Sequence, residues 1–211
     1  MRLATILLLA ACTAPPAPPS LPWVSGFTTT ASGDTESLPA AQRLAAVTGT
    51  RDEAGYGAIA VSTGSGAILA SYHDGVAVLD SNDRLVARAP GFDVEGSADD
   101  LVALATGDAK LDAPVIVLAV TRGGHRVSTT SIVVYQVGAD EQLDQLFAGA
   151  IEERDGDQTR SGSLAFFPHG LMYRPPGGGF QRWTFDPTAR KYVHKRQVNR
   201  RVEPDRLVPG S

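Results

Sequence analysis

The single cysteine of the sequence, Cys12, is the residue at which covalent chemistry is most readily predicted. Arg2 provides a positive charge, and the uncharged, largely apolar residues 3–11 lead up to the thiol. As a helix this short segment would span about 14 Å, half of a bilayer's hydrocarbon core, so it predicts a secretory signal peptide and not a transmembrane helix. Because a cysteine thiolate is a good nucleophile, this position could accept a covalent modification.

The residues Leu9, Ala10, Ala11 and Cys12 resemble the lipobox of bacterial lipoproteins, in which an aliphatic and two small residues precede the modified cysteine. In that family the cysteine receives a diacylglycerol thioether, the signal is cut before it, and the new N-terminus is acylated as well. The resemblance implies a signal peptide over residues 1–11 and a lipoprotein held in a membrane by acyl chains of the palmitate type at Cys12. The alternative is an ordinary signal peptide cut at an Ala-x-Ala-like site, with no role for Cys12.

The segment that contains and follows the cysteine, residues 12–22, is too rich in proline for a helix or a central strand. Such a segment favours the extended polyproline II conformation, so it predicts a stiff tether between a membrane and a domain. In bacterial lipoproteins an aspartate after the cysteine commonly retains the protein at the inner membrane, whereas Thr13 stands there in this chain. The resemblance thus favours the outer membrane of a bacterial cell envelope, on its periplasmic or its surface face.

Two clusters of carboxylates are the candidates for a metal site. The first cluster, in GFDVEGSADD, contains Asp93, Glu95, Asp99 and Asp100. The second cluster, in EERDGDQT, contains Glu152, Glu153, Asp155 and Asp157. Hard carboxylate oxygens closely spaced on a loop can bind Ca²⁺, and Asp155 and Asp157 faintly resemble a calcium-binding D-x-D loop, although the EF-hand spacing is absent. We favour the alternative that these residues form turns and keep strand edges from pairing.

Other catalytic motifs are missing from the sequence. It contains no nucleophile elbow, P-loop or G-x-G-x-x-G motif, and its four histidines form no i, i+4 pair that would indicate zinc. The net charge of −4 argues against a nucleic-acid partner. From Asp186 onward, however, seven basic residues accompany three acidic ones, and we interpret this end as a solvated tail, with contact to anionic lipid as the alternative.

The elements that must position any site are mostly strands. From Tyr56 onward, short apolar runs alternate with turn residues and predict about twelve strands. The continuous runs PVIVLAV and SIVVYQV are typical of strands buried on both faces, and Asp74 and Gly75 predict a tight hairpin. One short helix is predicted over residues 38–47, with Ser37 as its cap and Gly49 as its end.

This pattern predicts an all-β fold, an antiparallel meander. The stretch GAILASYHDGVAVLDSNDRLVARAPG and the strands after it resemble the repeats of phytase-type β-propellers. Twelve strands would make about three blades, fewer than a closed propeller needs, so a dimerising half-propeller and a β-sandwich are both open. We expect an irregular segment over 23–50 that includes the helix, a β domain over 51–197, and a basic tail over 198–211.

We therefore expect an envelope lipoprotein whose β domain binds or scaffolds a protein or a glycan. The propeller resemblance implies a different function, a calcium-dependent phosphohydrolase of the phytase type, which would need the acidic residues clustered with arginines at one mouth. A third function, a carbohydrate- or peptidoglycan-binding module, requires Trp183 and several tyrosines to lie exposed in one groove. We assign no catalytic residue from the sequence, and the oligomeric state stays open.

Overall fold

The computed structural model describes residues 21–33, 38–48, 58–71, 75–91, 99–124 and 126–194. Within these ranges strands dominate, and α1 is eleven residues long. In chain order the elements are β1 (Val24–Ser25), β2 (Thr28–Gly33), α1 (Leu38–Thr48), β3 (Ala58–Thr63), β4 (Gly66–Ser71), β5 (Gly75–Asp80), β6 (Leu85–Ala89), β7 (Asp99–Asp108), β8 (Val115–Gly123), β9 (Val127–Val137), β10 (Leu143–Asp155), β11 (Gln158–Ser161), β12 (Ser163–Phe167), β13 (Gly170–Arg174), β14 (Gln181–Asp186) and β15 (Lys191–His194).

The strands form three sheets. The four-stranded sheet has the order β3-β4-β5-β6, the six-stranded sheet has the order β11-β10-β9-β8-β7-β2, and the five-stranded sheet has the order β1-β12-β13-β14-β15. Neighbouring strands are antiparallel, except for the short parallel pair of β1 and β12. The predicted all-β, antiparallel meander is confirmed.

The propeller-like arrangement of equal four-stranded blades is not supported, because the sheets differ in size. The N-terminal segment adds β1 to the five-stranded sheet and β2 to the six-stranded sheet. The hairpin strand β11 adds a further edge to the six-stranded sheet beside β10. Residues 24–33, which lack a clear strand pattern in the sequence, are therefore integral to two sheets.

The six-stranded sheet is buried on both faces. On β8, Val117 and Ala119 pack against the five-stranded sheet, while Ile116 and Leu118 on the opposite face pack against the four-stranded sheet. Strand β9 repeats this alternation. Because successive side chains of a strand point to opposite faces, two buried faces require an apolar residue at every position. This confirms the prediction made from PVIVLAV and SIVVYQV.

The helix covers the outer face of the four-stranded sheet. Leu44 and Ala40 of α1 pack with Leu69 of β4 and Leu79 of β5 in a third, smaller apolar cluster. The predicted helix is confirmed, while its predicted cap Ser37 and end Gly49 lie outside the described residues. The order of layers is thus α1, the four-stranded sheet, the six-stranded sheet and the five-stranded sheet. Among the described residues no helix is both long and apolar enough to cross a bilayer.

The predicted hairpin of β4 and β5 is formed, but its register differs from the prediction. Ser71 lies opposite Gly75, so residues 72–74 connect the strands and Gly75 begins β5, whereas a two-residue turn at Asp74 and Gly75 would pair residue 73 with Val76. Gly75 has a φ of +85°, and a Cβ at this position would overlap the carbonyl oxygen of Ala89. Glycine is therefore required at residue 75, at the start of β5, by both the backbone conformation and the neighbouring strand. Asp74 and the rest of the loop lie outside the described residues.

We predict that truncation of Leu118 to alanine strongly destabilises the fold. Leu118 is fully buried between two sheets, so Leu118→Ala should lower the free energy of unfolding by about 2–5 kcal/mol. The matched change on the neighbouring strand, Val137→Ala, removes a side chain that is 41 % exposed and should cost less than about 1 kcal/mol. Urea unfolding followed by circular dichroism measures both values. Equal losses would contradict a central sheet that is buried on both faces.

Candidate functional site

Part of the six-stranded sheet is open, from the end formed by β10 and β11 towards the middle of β9 and β10 and the end of β8. Two neighbouring shallow cavities lie there, with volumes of about 240 and 340 Å³. The first is lined by Val127, Ser128, Thr129, Glu153, Arg154, Asp155, Gln158 and Arg160. The second is lined by Val120, Arg122, Ser131, Val133, Gln145, Ala148 and Gly149. We call the two cavities together the β8–β11 groove.

A row of polar side chains crosses the groove. Strand register places Arg122 opposite Thr129, Thr129 opposite Glu153, and Glu153 opposite Arg160. Directly opposed side chains on one face lie about 5 Å apart, so the four residues form a continuous cation–hydroxyl–anion–cation line. Ile116, Leu118 and Arg122 are separated by even numbers of residues on β8, so their side chains point to the same face of the sheet. The polar row therefore lies on the face that packs, at Ile116 and Leu118, against the four-stranded sheet.

The floor of the groove changes from apolar to polar along each strand. On β8, buried Val120 precedes exposed Arg122, and on β9, half-buried Ser131 separates buried Val133 from half-buried Thr129. The register of β10 shifts at two places, between Gln145 and Phe147 and between Ala150 and Glu152. Such bulges bend a strand and increase its twist, and the second of them lies next to the polar row at Glu153.

The opposite face of the same strand ends is stabilised by a separate set of hydrogen bonds. Thr121 and Thr130 join their hydroxyl groups across β8 and β9 at 2.7 Å. The carboxylate of Glu152 accepts bonds from the indole N–H of Trp23 at 3.3 Å and from the hydroxyl of Ser161 at 3.4 Å. Glu152 thus connects β10 to the N-terminal segment, whereas its neighbour Glu153 is exposed in the groove.

The predicted calcium residues are not brought together by the described structure. Asp155 ends β10, and Asp157 follows it in the turn to β11. Asp99 and Asp100 begin β7 and pair with Arg122 and Thr121. Strand β7 is separated from β10 by three strand spacings, about 14 Å along the sheet.

Two more of the predicted calcium residues, Asp93 and Glu95, lie outside the described residues. Within the described ranges there is no group of three or more His, Cys, Asp or Glu residues that could hold a metal ion. The fold therefore does not combine carboxylates of the first cluster with those of the second into one metal site within the described residues.

The predicted aromatic groove is not formed by the described residues, because these side chains pack in the core or against it. Trp183 packs edge-on against Phe147 with ring centroids 5.3 Å apart. Tyr173 is buried and donates a hydrogen bond of 2.6 Å to the carbonyl oxygen of Ala150. Tyr135 is also buried, between the six- and four-stranded sheets. Tyr135 and Tyr173 are therefore not accessible to a ligand, and Trp183 is half-buried.

The predicted lipid-attachment residues Leu9, Ala10, Ala11 and Cys12 lie outside the described residues. The sequence analysis did not identify the groove as a site, although it named Glu153, Asp155 and Asp157 as acidic residues. The available signal was the polar continuation of two apolar runs, at Thr121 and Arg122 after PVIVLAV and at residues 128–130 before SIVVYQV. Only the register of four strands shows that these polar ends lie side by side.

Comparisons of the chain with protein-family models, with curated proteins and with solved structures find no match. The groove must therefore be interpreted from its own residues. It offers hydrogen-bond donors and acceptors at short intervals along an open, shallow surface, a chemistry that suits an extended polar ligand.

We predict a loss of stability at alkaline pH that depends on Tyr135. Burial raises the pKa of Tyr135 to about 12, above the value near 10 of an unfolded chain. The resulting contribution to stability is complete below pH 10 and is lost as the pH rises towards 12, because only the unfolded chain then ionises readily. Tyr135→Phe should reduce this loss by about 2–3 kcal/mol in urea unfolding between pH 9 and pH 12. Parallel curves for the two proteins would contradict the prediction.

Proposed function

We propose that this chain is a lipid-anchored protein of a bacterial cell envelope whose β domain binds another envelope component in the β8–β11 groove. The resemblance of Leu9–Cys12 to a lipobox supports the anchor. The open polar row formed by Arg122, Thr129, Glu153 and Arg160 is the observation that carries the binding function.

The shape and chemistry of the groove favour an extended partner, a protein segment or a glycan chain. Its cavities are open and shallow, whereas sites for small cofactors are generally enclosed and mostly apolar. Hydroxyl, amide and charged groups alternate with Val120, Val127 and Ala148, so a bound chain could make both polar and apolar contacts. Arg160 favours an acidic group at the β11 end of the row, and Glu153 favours a hydrogen-bond donor beside it, while strand register places Arg122 opposite Asp99 of β7.

The two alternative functions have less support from the described residues. A calcium-dependent phosphohydrolase would need a set of carboxylates that holds the metal; Glu153 and Asp155 line the groove with Arg154 and Arg160, but the described residues contain no group of three or more His, Cys, Asp or Glu that could hold a metal ion. A carbohydrate-binding module of the kind predicted would need exposed rings, whereas Tyr173 is buried in the core and Trp183 packs against it. A glycan could still be bound through the polar row.

The proposed tether sets the distance between the membrane and the domain. From Cys12 to Leu21 the chain has nine residue steps and four prolines. At the polyproline II rise of about 3.1 Å per residue the tether spans about 28 Å. The groove would therefore work within a few tens of ångströms of the bilayer surface.

We predict that cells supplied with a clickable fatty-acid probe incorporate label into the native chain and not into Cys12→Ser. The thiol is the acceptor of the diacylglycerol group in the proposed reaction, so serine should abolish labelling by more than tenfold. In-gel fluorescence normalised to protein amount measures the label. Equal labelling of both proteins would contradict the anchor.

We also predict that photo-crosslinking side chains placed in the groove capture a discrete partner in cells. The exposed groove residues Gln145 and Gln158 are suitable positions, and exposed Asp112, outside the groove, is the matched control. The same adduct should form from both groove positions and weaken severalfold when Arg160→Glu is added. An adduct that also forms from position 112, or that is unaffected by Arg160→Glu, would contradict binding in the groove.

A further inference from the structure

The outward face of the five-stranded sheet is a second surface with an unusual composition. Strand alternation directs Leu164, Leu171 and Tyr192 into the core, so the neighbouring residues point away from it. Those neighbours include the half-buried residues Ala165, Phe167, Met172, Thr184 and Val193. Among the described residues no further layer covers this face, whereas α1 covers the corresponding outer face of the four-stranded sheet.

Cations and aromatic rings are paired on this face. The guanidinium group of Arg182 lies over the ring of Phe167, 5.3 Å from its centroid. The guanidinium group of Arg174 lies 5.6 Å from the centroid of Phe180, whose side chain is 69 % exposed. We call the surface formed by Phe167, Arg174, Phe180, Arg182 and Lys191 the basic outer face.

One carboxylate accompanies these cations on the described strands of the face. Asp186 lies opposite Lys191 in the pairing of β14 and β15. An oxygen of Asp186 accepts backbone bonds from Thr188 at 2.9 Å and Ala189 at 3.1 Å, so this carboxylate is engaged in a turn. Arg174 donates to the carbonyl oxygen of Ser161 at 3.4 Å, whereas Arg182 and Lys191 are exposed. The face therefore has a positive surplus.

Both ends of the chain join the domain at this sheet. Strand β1, directly after the proline-rich tether, pairs with β12 at one edge, and β15 forms the other edge. The sequence after β15 continues with four further cations within eight residues, Lys195, Arg196, Arg200 and Arg201. The proposed anchor and this run of basic residues thus reach the domain through the same layer.

We propose that the basic outer face docks on the anionic headgroups of the bilayer that holds the lipid of Cys12. This inference rests on the proposed function, since the anchor brings the face to the bilayer. Arginine guanidinium groups bind phosphate oxygens well, and lysine and arginine side chains near an anionic leaflet favour binding. Exposed aromatic side chains such as Phe180 suit the boundary between headgroups and acyl chains.

A second copy of the chain fits this face less well than a bilayer. Two copies joined by a two-fold axis would present the same cationic surface to each other. Arg182 and Lys191 would then meet like charges, whereas an anionic leaflet offers the complementary charge at every orientation. Charge complementarity therefore selects the bilayer.

Vesicle flotation of the full chain carrying Cys12→Ser tests the docking without any contribution from acyl chains attached to the protein. We expect binding to vesicles of equimolar phosphatidylglycerol and phosphatidylcholine, weakened by salt, and little binding to phosphatidylcholine alone.

Arg182→Gln with Lys191→Gln should weaken binding about 25-fold, about fivefold for each cation removed. Arg84→Gln with Arg88→Gln removes the same charge from the four-stranded sheet and should change binding by less than about twofold. Phe180→Ser should weaken it severalfold.

Hydrogen exchange separates the basic outer face from the basic tail. Anionic vesicles should slow exchange in β13, β14 and the loop between them, and should not do so in β4 and β5. Three results would overturn the docking: no binding to anionic vesicles, equal losses in the two double variants, or a dimer in solution that buries this face. The vesicle experiment uses a chain without the Cys12-linked lipid, so its result does not depend on the anchor. Failure of fatty-acid labelling at Cys12 would overturn the anchor and would leave the vesicle result unchanged.

Discussion

The burial of the six-stranded sheet on both of its faces is the constraint on which the rest of the fold depends. Strands β8 and β9 supply apolar side chains to two separate clusters, one shared with the five-stranded sheet and one with the four-stranded sheet. In the four-stranded sheet, β4 and β5 are also buried on both faces, but their outer face is covered by α1 and not by a sheet, whereas the five-stranded sheet has one face towards the outside. Hydrophobic burial on the central sheet therefore holds the three sheets in their order.

The candidate site exists because the central sheet is longer than the layer that covers it. Strand β10 runs for thirteen residues and β9 for eleven, whereas β3, β4 and β5 have six residues each. Where the cover ends, an apolar face would be exposed to water, and the sequence places Arg122, Thr129 and Ser131 there instead. The change from core to polar groove thus follows from a mismatch in strand length.

The two proposed surfaces lie on opposite sides of the central sheet. The groove shares the face that packs on the four-stranded sheet, whereas the basic outer face lies beyond the five-stranded sheet. If the basic outer face contacts the bilayer, the β8–β11 groove opens away from it. A short, stiff tether and a fixed orientation would then present the groove to components of the envelope at a defined height.

The sequence by itself determined the all-β class, helix α1, the presence of the β4–β5 hairpin and the two-sided burial of β8 and β9, because local pattern and burial decide these features. It also presented the lipobox-like residues around Cys12, which remain a prediction. Only the tertiary structure decided that the irregular segment at Thr28 supplies a sheet edge, that residues 72–74 connect β4 and β5, and that Trp183 packs against the core. The alignment of Arg122, Thr129, Glu153 and Arg160 in one row was likewise visible only in the structure. The physical reason is that strand register depends on hydrogen bonds between segments distant in sequence, which alternation along a single strand does not encode.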